Sequence, residues 1–240
     1  MILKKEQIKI KLIDKFYVYR FYLLFLTICI NLLLPPLLNY PILDIVLRLF
    51  SNIILVMSGV NFLEINMKKL RFIWAILGIF IIVISIISEY ASKTFFFLEL
   101  QYGLKCLFFI IITSSILKQI SSTYEVTNDV ILGSFCGYVL LGIISYFFFM
   151  LLDITMSNSF TGLSDVALIR SNQLFYYTFT CLTTLGMGDI LPANILTQRV
   201  SIITAIIGQF YIAIVVAILI SRYLQFKKER IKKINKEKKL

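Results

Sequence analysis

Few residues in this 240-residue chain have the type and spacing to do side-chain chemistry. There is no histidine, which removes the commonest general base and a principal zinc ligand. The four cysteines, Cys29, Cys106, Cys136 and Cys181, each stand alone in a separate apolar stretch. This pattern excludes a disulfide-stapled secreted fold and zinc motifs built on paired Cys or His. What remains is backbone chemistry. Gly186 and Gly188 flank Met187, follow the apolar, aromatic stretch Leu174–Thr184, and precede Asp189. Glycine reaches positive φ without a steric cost. The stretch 174–184 is too short to cross a bilayer, which takes about 20 helical residues. Non-helical backbone is tolerated at membrane depth only where it is buried in protein or lines water. A re-entrant segment ending in such backbone is therefore predicted here.

The elements that must position it are legible as hydrocarbon. The chain is 59% hydrophobic and 15% charged, against about half and a quarter for a soluble domain. A soluble enzyme does not fit these values; a polytopic membrane protein does. Six spans are predicted: Phe16–Leu38, Ile42–Ile65, Leu70–Ser88, Thr94–Leu117, Val130–Asp153 and Val200–Tyr223. The net charge of +11 is concentrated at the two ends, so basic flanks of membrane spans explain it better than nucleic-acid binding does. Six spans put both termini on one side, and Lys68, Lys69, Arg71 and Lys118 fall on that side too. Both termini are expected to be cytoplasmic. Lys93, Arg170 and Arg199 are left near span ends on the opposite side.

The run Thr183-Thr184-Leu185-Gly186-Met187-Gly188-Asp189 resembles the potassium-channel signature, Thr-Val-Gly-Tyr-Gly-Asp after a short pore helix. Thr184, Gly186, Gly188 and Asp189 match; Leu185 replaces the usual Val and Met187 the usual aromatic. Tyr176 and Tyr177 stand where the family has its aromatic cuff. Gly208 stands where family inner helices often carry a gating hinge. Thr180 stands where some members place a pore-helix carboxylate, so that brace is absent. The close resemblance covers roughly residues 130–223; the first four spans are similar only in number and hydropathy. The resemblance implies that carbonyl oxygens of Thr184, Leu185, Gly186 and Met187 hold dehydrated K+, with Gly188 completing the filter. The side chains of Leu185 and Met187 are expected to pack behind it. Tyr176, Tyr177, Thr180 and Thr183 would support the filter. Asp189 is either a ring of charge at the outer mouth or a solvated turn residue. Methionine can fill the aromatic's space but has no hydroxyl, which softens the filter.

The fold expected is all-α: six spans plus a re-entrant pore helix, with residues 1–129 peripheral, 130–223 the pore unit and 224–240 a basic cytoplasmic tail. The fourth span carries only Lys105 with Glu99, which is no ladder of gating charges, so a voltage sensor is not expected. Asp44 and Arg48 could pair on the second span, and Arg48 could pair with Glu99. Alternatively, Arg48 and Lys105 snorkel to the interface. The tail reads as a helical continuation of the sixth span, either resting on anionic lipid or serving only as a topology signal. One chain carries one filter strand, so a homotetramer is expected. It would conduct potassium passively across a membrane, such as the bacterial plasma membrane. No catalysed reaction, no cofactor beyond the permeant K+ and no nucleic-acid partner are expected. A weakly selective cation channel is the nearest alternative. A non-conducting membrane subunit and a secondary transporter are the rivals from other classes, and the second lacks the internal repeat it would usually show.

Overall fold

The computed structural model describes residues 20–33, 56, 68–90, 95–122 and 128–237. In chain order the helices are α1 (Arg20–Leu33), α2 (Lys68–Tyr90), α3 (Phe95–Ser122), α4 (Asn128–Thr155), the short α5 (Ala167–Leu182) and α6 (Ile195–Glu237). The expectation of an all-α chain needs one correction. Phe160–Thr161 (β1) and Leu191–Pro192 (β2) form a two-residue antiparallel ladder, Phe160 opposite Pro192 and Thr161 opposite Leu191. This ladder closes the connections on either side of α5.

Among the described residues, three helices are long and apolar enough to cross a membrane: Phe96–Ser121 of α3, Val130–Thr155 of α4 and Ile195–Leu224 of α6. The apolar stretches of α1 and α2 are shorter, Phe21–Ile30 and Ile76–Ile87. The predicted second span, with Asp44 and Arg48, lies outside the described residues except for Val56, which is helical and buried. α1 ends at Leu33, two residues before Pro35. α6 begins five residues before the predicted Val200 because Asn194 caps it. The Asn194 Oδ1 accepts from the Thr197 N–H at 2.8 Å, and Thr197 Oγ1 accepts from the Asn194 N–H at 3.3 Å. Such reciprocal side-chain capping satisfies amide groups that have no partner inside a helix. At its other end α6 runs unbroken past Tyr223 to Glu237, so the basic tail does continue the helix.

α4 is the central element, apolar on every side as a helix buried in hydrocarbon or protein should be. Along one part it meets α1 and α3, where Leu24, Ile28, Phe109, Ile112, Ile116, Cys136, Leu140 and Phe147 form a buried core. Nearer its C-terminus, Phe149 and Leu152 pack with Phe160, Leu174, Tyr177 and Ile190. Lys105 does not snorkel: it is 4% exposed, its Nζ 5.6 Å from the Tyr102 ring centre and 5.7 Å from that of Phe147. A cation over aromatic faces is stabilised more when it is desolvated.

α3 is joined to α6 at their charged ends. The Arg222 guanidinium donates to the carbonyl of Ile120 at 2.9 Å and to that of Ser121. These are among the last carbonyls of α3, which have no partner inside the helix, and a cation is favoured at the negative end of the helix dipole. Hydrogen bonds from charged donors contribute about 1.5–3 kcal/mol. Arg222→Ala should therefore speed amide hydrogen exchange in the last turn of α3 by about tenfold while leaving α5 unchanged. Exchange measured by mass spectrometry on the full chain checks this.

Candidate functional site

The short helix α5 starts seven residues before the predicted Leu174 and ends at Leu182 rather than Thr184. Its stretch Arg170–Gln173 is polar, which hides its start from a reading by hydropathy. Those polar residues are its anchors. Arg170 makes a two-pronged ion pair with Asp153 at the end of α4, Nε to Oδ2 2.6 Å and Nη2 to Oδ1 2.7 Å. It also donates to the Ser164 carbonyl at 3.3 Å. The hydrogen bond that it donates to Asp153 raises the Arg170 guanidinium above its ordinary pKa, so it stays charged. The hydroxyls of Ser171 and Tyr146 lie 2.7 Å apart, and Gln173 Oε1 accepts from the Ser164 N–H at 2.7 Å. Arg170, expected only as a basic residue near a span end, instead fixes where α5 begins.

Tyr177 and Tyr176, adjacent in sequence, behave differently. Tyr177 is buried, its hydroxyl 2.6 Å from that of Ser201 on α6 and its ring edge-on to Phe149 and Phe160. It bolts α5 to both flanking helices. Tyr176 is 40% exposed and stands beside Asp189; partial desolvation, then the charge and hydrogen bond of Asp189, push its phenol up.

At its C-terminal end α5 hands over to irregular backbone. Thr183 caps the helix: its N–H and its hydroxyl both reach the Phe179 carbonyl, at 3.0 and 2.6 Å. The Thr184 N–H then donates to Cys181 and the Gly186 N–H to Thr180, at 3.0 and 3.1 Å. Thr180 thus supports the loop through its carbonyl, while its hydroxyl turns back to Tyr177 at 2.8 Å. Tyr138 of α4 donates to the Leu182 carbonyl at 3.4 Å.

Backbone φ is positive at Thr184 (58°), Gly186 (55°) and Gly188 (80°). The sequence predicts the two glycines but not Thr184, a β-branched residue for which this conformation costs roughly 1–3 kcal/mol. At Gly186 and Gly188 an added Cβ would meet nothing within 4 Å, so glycine is required there by conformation and not by space. Residues 183–189 are all exposed in the single chain. Leu185 and Met187, expected to pack behind the loop, are 64% and 62% exposed. Among the described residues nothing covers them.

Gly208 is placed by a different constraint. α6 passes through it without a break, and an added Cβ would overlap the Leu182 carbonyl oxygen. In this conformation Gly208 is where α6 approaches the end of α5. The next residue, Gln209, donates from Nε2 to the Thr184 hydroxyl at 3.1 Å. Neither this contact nor the Asp153–Arg170 pair is foreseen from sequence, although Gln209 is the lone amide in the apolar run 205–220. Among the described residues, no cluster of His, Cys, Asp and Glu could hold a metal by side chains.

The Asp153–Arg170 pair is the site's main electrostatic anchor, with Asp153 7% and Arg170 28% exposed. Removing one partner of a buried pair costs about 3–5 kcal/mol; the partial exposure of Arg170 lowers this to roughly 2 kcal/mol. Arg170→Ala should destabilise the purified protein by that order, and Asp153→Asn with Arg170→Gln together should cost less than the two changes summed. Thermal unfolding of the four proteins checks this coupling.

No curated protein and no solved structure matches this chain. A family model described as an ion channel, of the two-transmembrane type, matches residues 135–225. That range runs from Phe135 in α4 through α5 and the 183–189 loop to Gln225 in α6. This part of the chain is similar to an ion-channel domain.

Proposed function

We propose that the chain conducts potassium passively across a membrane as a homotetramer, through a filter made by residues 184–188. The observation that carries this reading is the alternation of positive φ at 184, 186 and 188 directly after the end of α5. Alternating left- and right-handed residues turn successive carbonyls toward one side. Those of Thr184, Leu185, Gly186 and Met187 then serve as oxygen ligands replacing the water around K+. The C-terminus of α5 adds the negative end of a helix dipole, about half an elementary charge. Asp189, at the other end of the loop, adds a carboxylate to the mouth.

The exposure of 183–189 supports assembly. Irregular backbone at membrane depth must be covered by protein or line water, and one chain covers it on one side only. Three further copies would enclose the loop, bury Leu185 and Met187, and cover the exposed apolar residues Ile202, Ile203, Ile206 and Phe210 of α6. In this reading both termini are cytoplasmic, in a bacterial plasma membrane. The basic end of α6 lies near anionic headgroups, and residues 1–129 flank the pore without sensing voltage. No catalysed reaction or organic cofactor has a part in it. Met187 favours a second reading, a weakly selective cation channel, because a thioether cannot make the hydrogen bond of a phenol at that position.

Purified in mild detergent, the protein should behave as four copies of the 27.8 kDa chain by native mass spectrometry. A conducting monomer or dimer sinks the pore. Gly186→Ala places a Cβ at φ 55° in every copy, and it should abolish the current or its potassium selectivity while the protein still assembles. Met187→Tyr should hold or raise selectivity. Reversal potentials in reconstituted bilayers under a potassium/sodium gradient check both and decide between the two readings.

A further inference from the structure

The hydroxyl of Thr184 stands apart from those of the threonines just before it. Those of Thr178, Thr180 and Thr183 all donate back to carbonyls one turn earlier, at 2.7, 2.8 and 2.6 Å. On the long helices Ser134, Ser145 and Thr155 do the same, at 2.8 to 2.9 Å. Thr184 cannot follow them, because its φ of 58° takes it out of the helix. Its oxygen instead accepts from Gln209 Nε2 at 3.1 Å, a contact between residues 25 apart in sequence. Both residues are exposed in the single chain. The donor is set by backbone packing: Gly208, one residue earlier, holds α6 against the Leu182 carbonyl.

A hydroxyl has two lone pairs and one proton. An amide N–H that takes one lone pair leaves the second for a cation. It also removes the freedom of a β-branched side chain that has few rotamers to begin with. A hydroxyl without this partner would turn its proton to the nearest carbonyl, as its three neighbours do, and present its oxygen less well.

Resting on the channel reading, we propose that Gln209 is a specificity-determining residue of the innermost cation site. Its amide holds the Thr184 oxygen as a ligand, so that four Gln209–Thr184 pairs set how tightly a dehydrated cation is held where the filter opens toward α6. The cation recognised is monovalent and of potassium's size, and Ba2+, divalent but of nearly the same radius, is a probe for the same oxygens. Gln209 does not itself have to touch the ion; it acts through Thr184.

The test uses the full chain reconstituted in bilayers, with Ba2+ applied from the side of the α6 C-terminus. Gln209→Leu keeps the bulk and loses the donor; it should weaken Ba2+ block by at least about fivefold, the scale of one neutral hydrogen bond. In a Thr184→Val background the same change should have no further effect, because the acceptor is already gone. Block of Gln209→Leu at wild-type Ba2+ concentration, or effects of the two changes that add, overturns the proposal. Stabilisation of the detergent-purified protein against heat by Ba2+ is measured in parallel and does not depend on current. Equal stabilisation of wild type and Gln209→Leu overturns the proposal even if no variant conducts. A wild type that passes no cation current overturns the channel reading separately.

Discussion

Everything about the 183–189 loop depends on one constraint: the peptide dipoles of a chain at membrane depth must be matched, and this stretch does not match them within itself. A helix would. Positive φ at three alternate residues forbids the helix and leaves successive carbonyls uncommitted. The N–H groups of Thr183, Thr184 and Gly186 are tied down, to the Phe179, Cys181 and Thr180 carbonyls of α5. The start of the loop therefore has donors held by its own chain and acceptors offered outward. Such an asymmetry is unfavourable for a protein alone in lipid and favourable for one that meets cations.

Holding that loop requires a rigid α5, and its rigidity comes from polar bonds more than from apolar packing. Each third of the helix is tied to a different neighbour: Arg170 to Asp153 at the start, Tyr177 to Ser201 in the middle, the Leu182 carbonyl to Tyr138 at the end. In water such bonds would contribute little net energy, because the unfolded partners bond to solvent. Where water is scarce, an unmatched hydroxyl or carbonyl is costly, so the same bonds decide geometry. The apolar contacts of Phe149, Phe160 and Leu174 fill the space between these ties.

The features legible in the sequence are those encoded by residue type alone. Hydrocarbon length located α3, α4 and α6 to within a few residues of their centres, and the glycine pair located the irregular backbone. The α5 boundary was misread because Arg170, Ser171, Asn172 and Gln173 look like a loop when their partners on other elements are unseen. Thr184 at positive φ is not legible, because nothing in threonine's own preferences favours it. The resemblance makes Gly208 a hinge; the close approach it also permits depends on what lies opposite, which its spacing does not give. Here the Leu182 carbonyl lies opposite. The expected packing of Leu185 and Met187 does not follow from residue type either: among the described residues no surface covers them.

The 43 residues of α6 have a mechanical consequence. At 1.5 Å per residue such a helix is about 65 Å long, roughly twice the hydrocarbon thickness of a bilayer, about 30 Å. About a third of it, from Arg222 to Glu237, projects as a rod beyond the apolar span, with Arg222 near the point of emergence gripping the end of α3. A rod held at that point is a lever. A sideways force on its far end is transmitted, with the opposite sense, to the segment beside Leu182 and Thr184. The rod is rich in lysine and arginine, so an acidic surface is the kind that can pull on this lever.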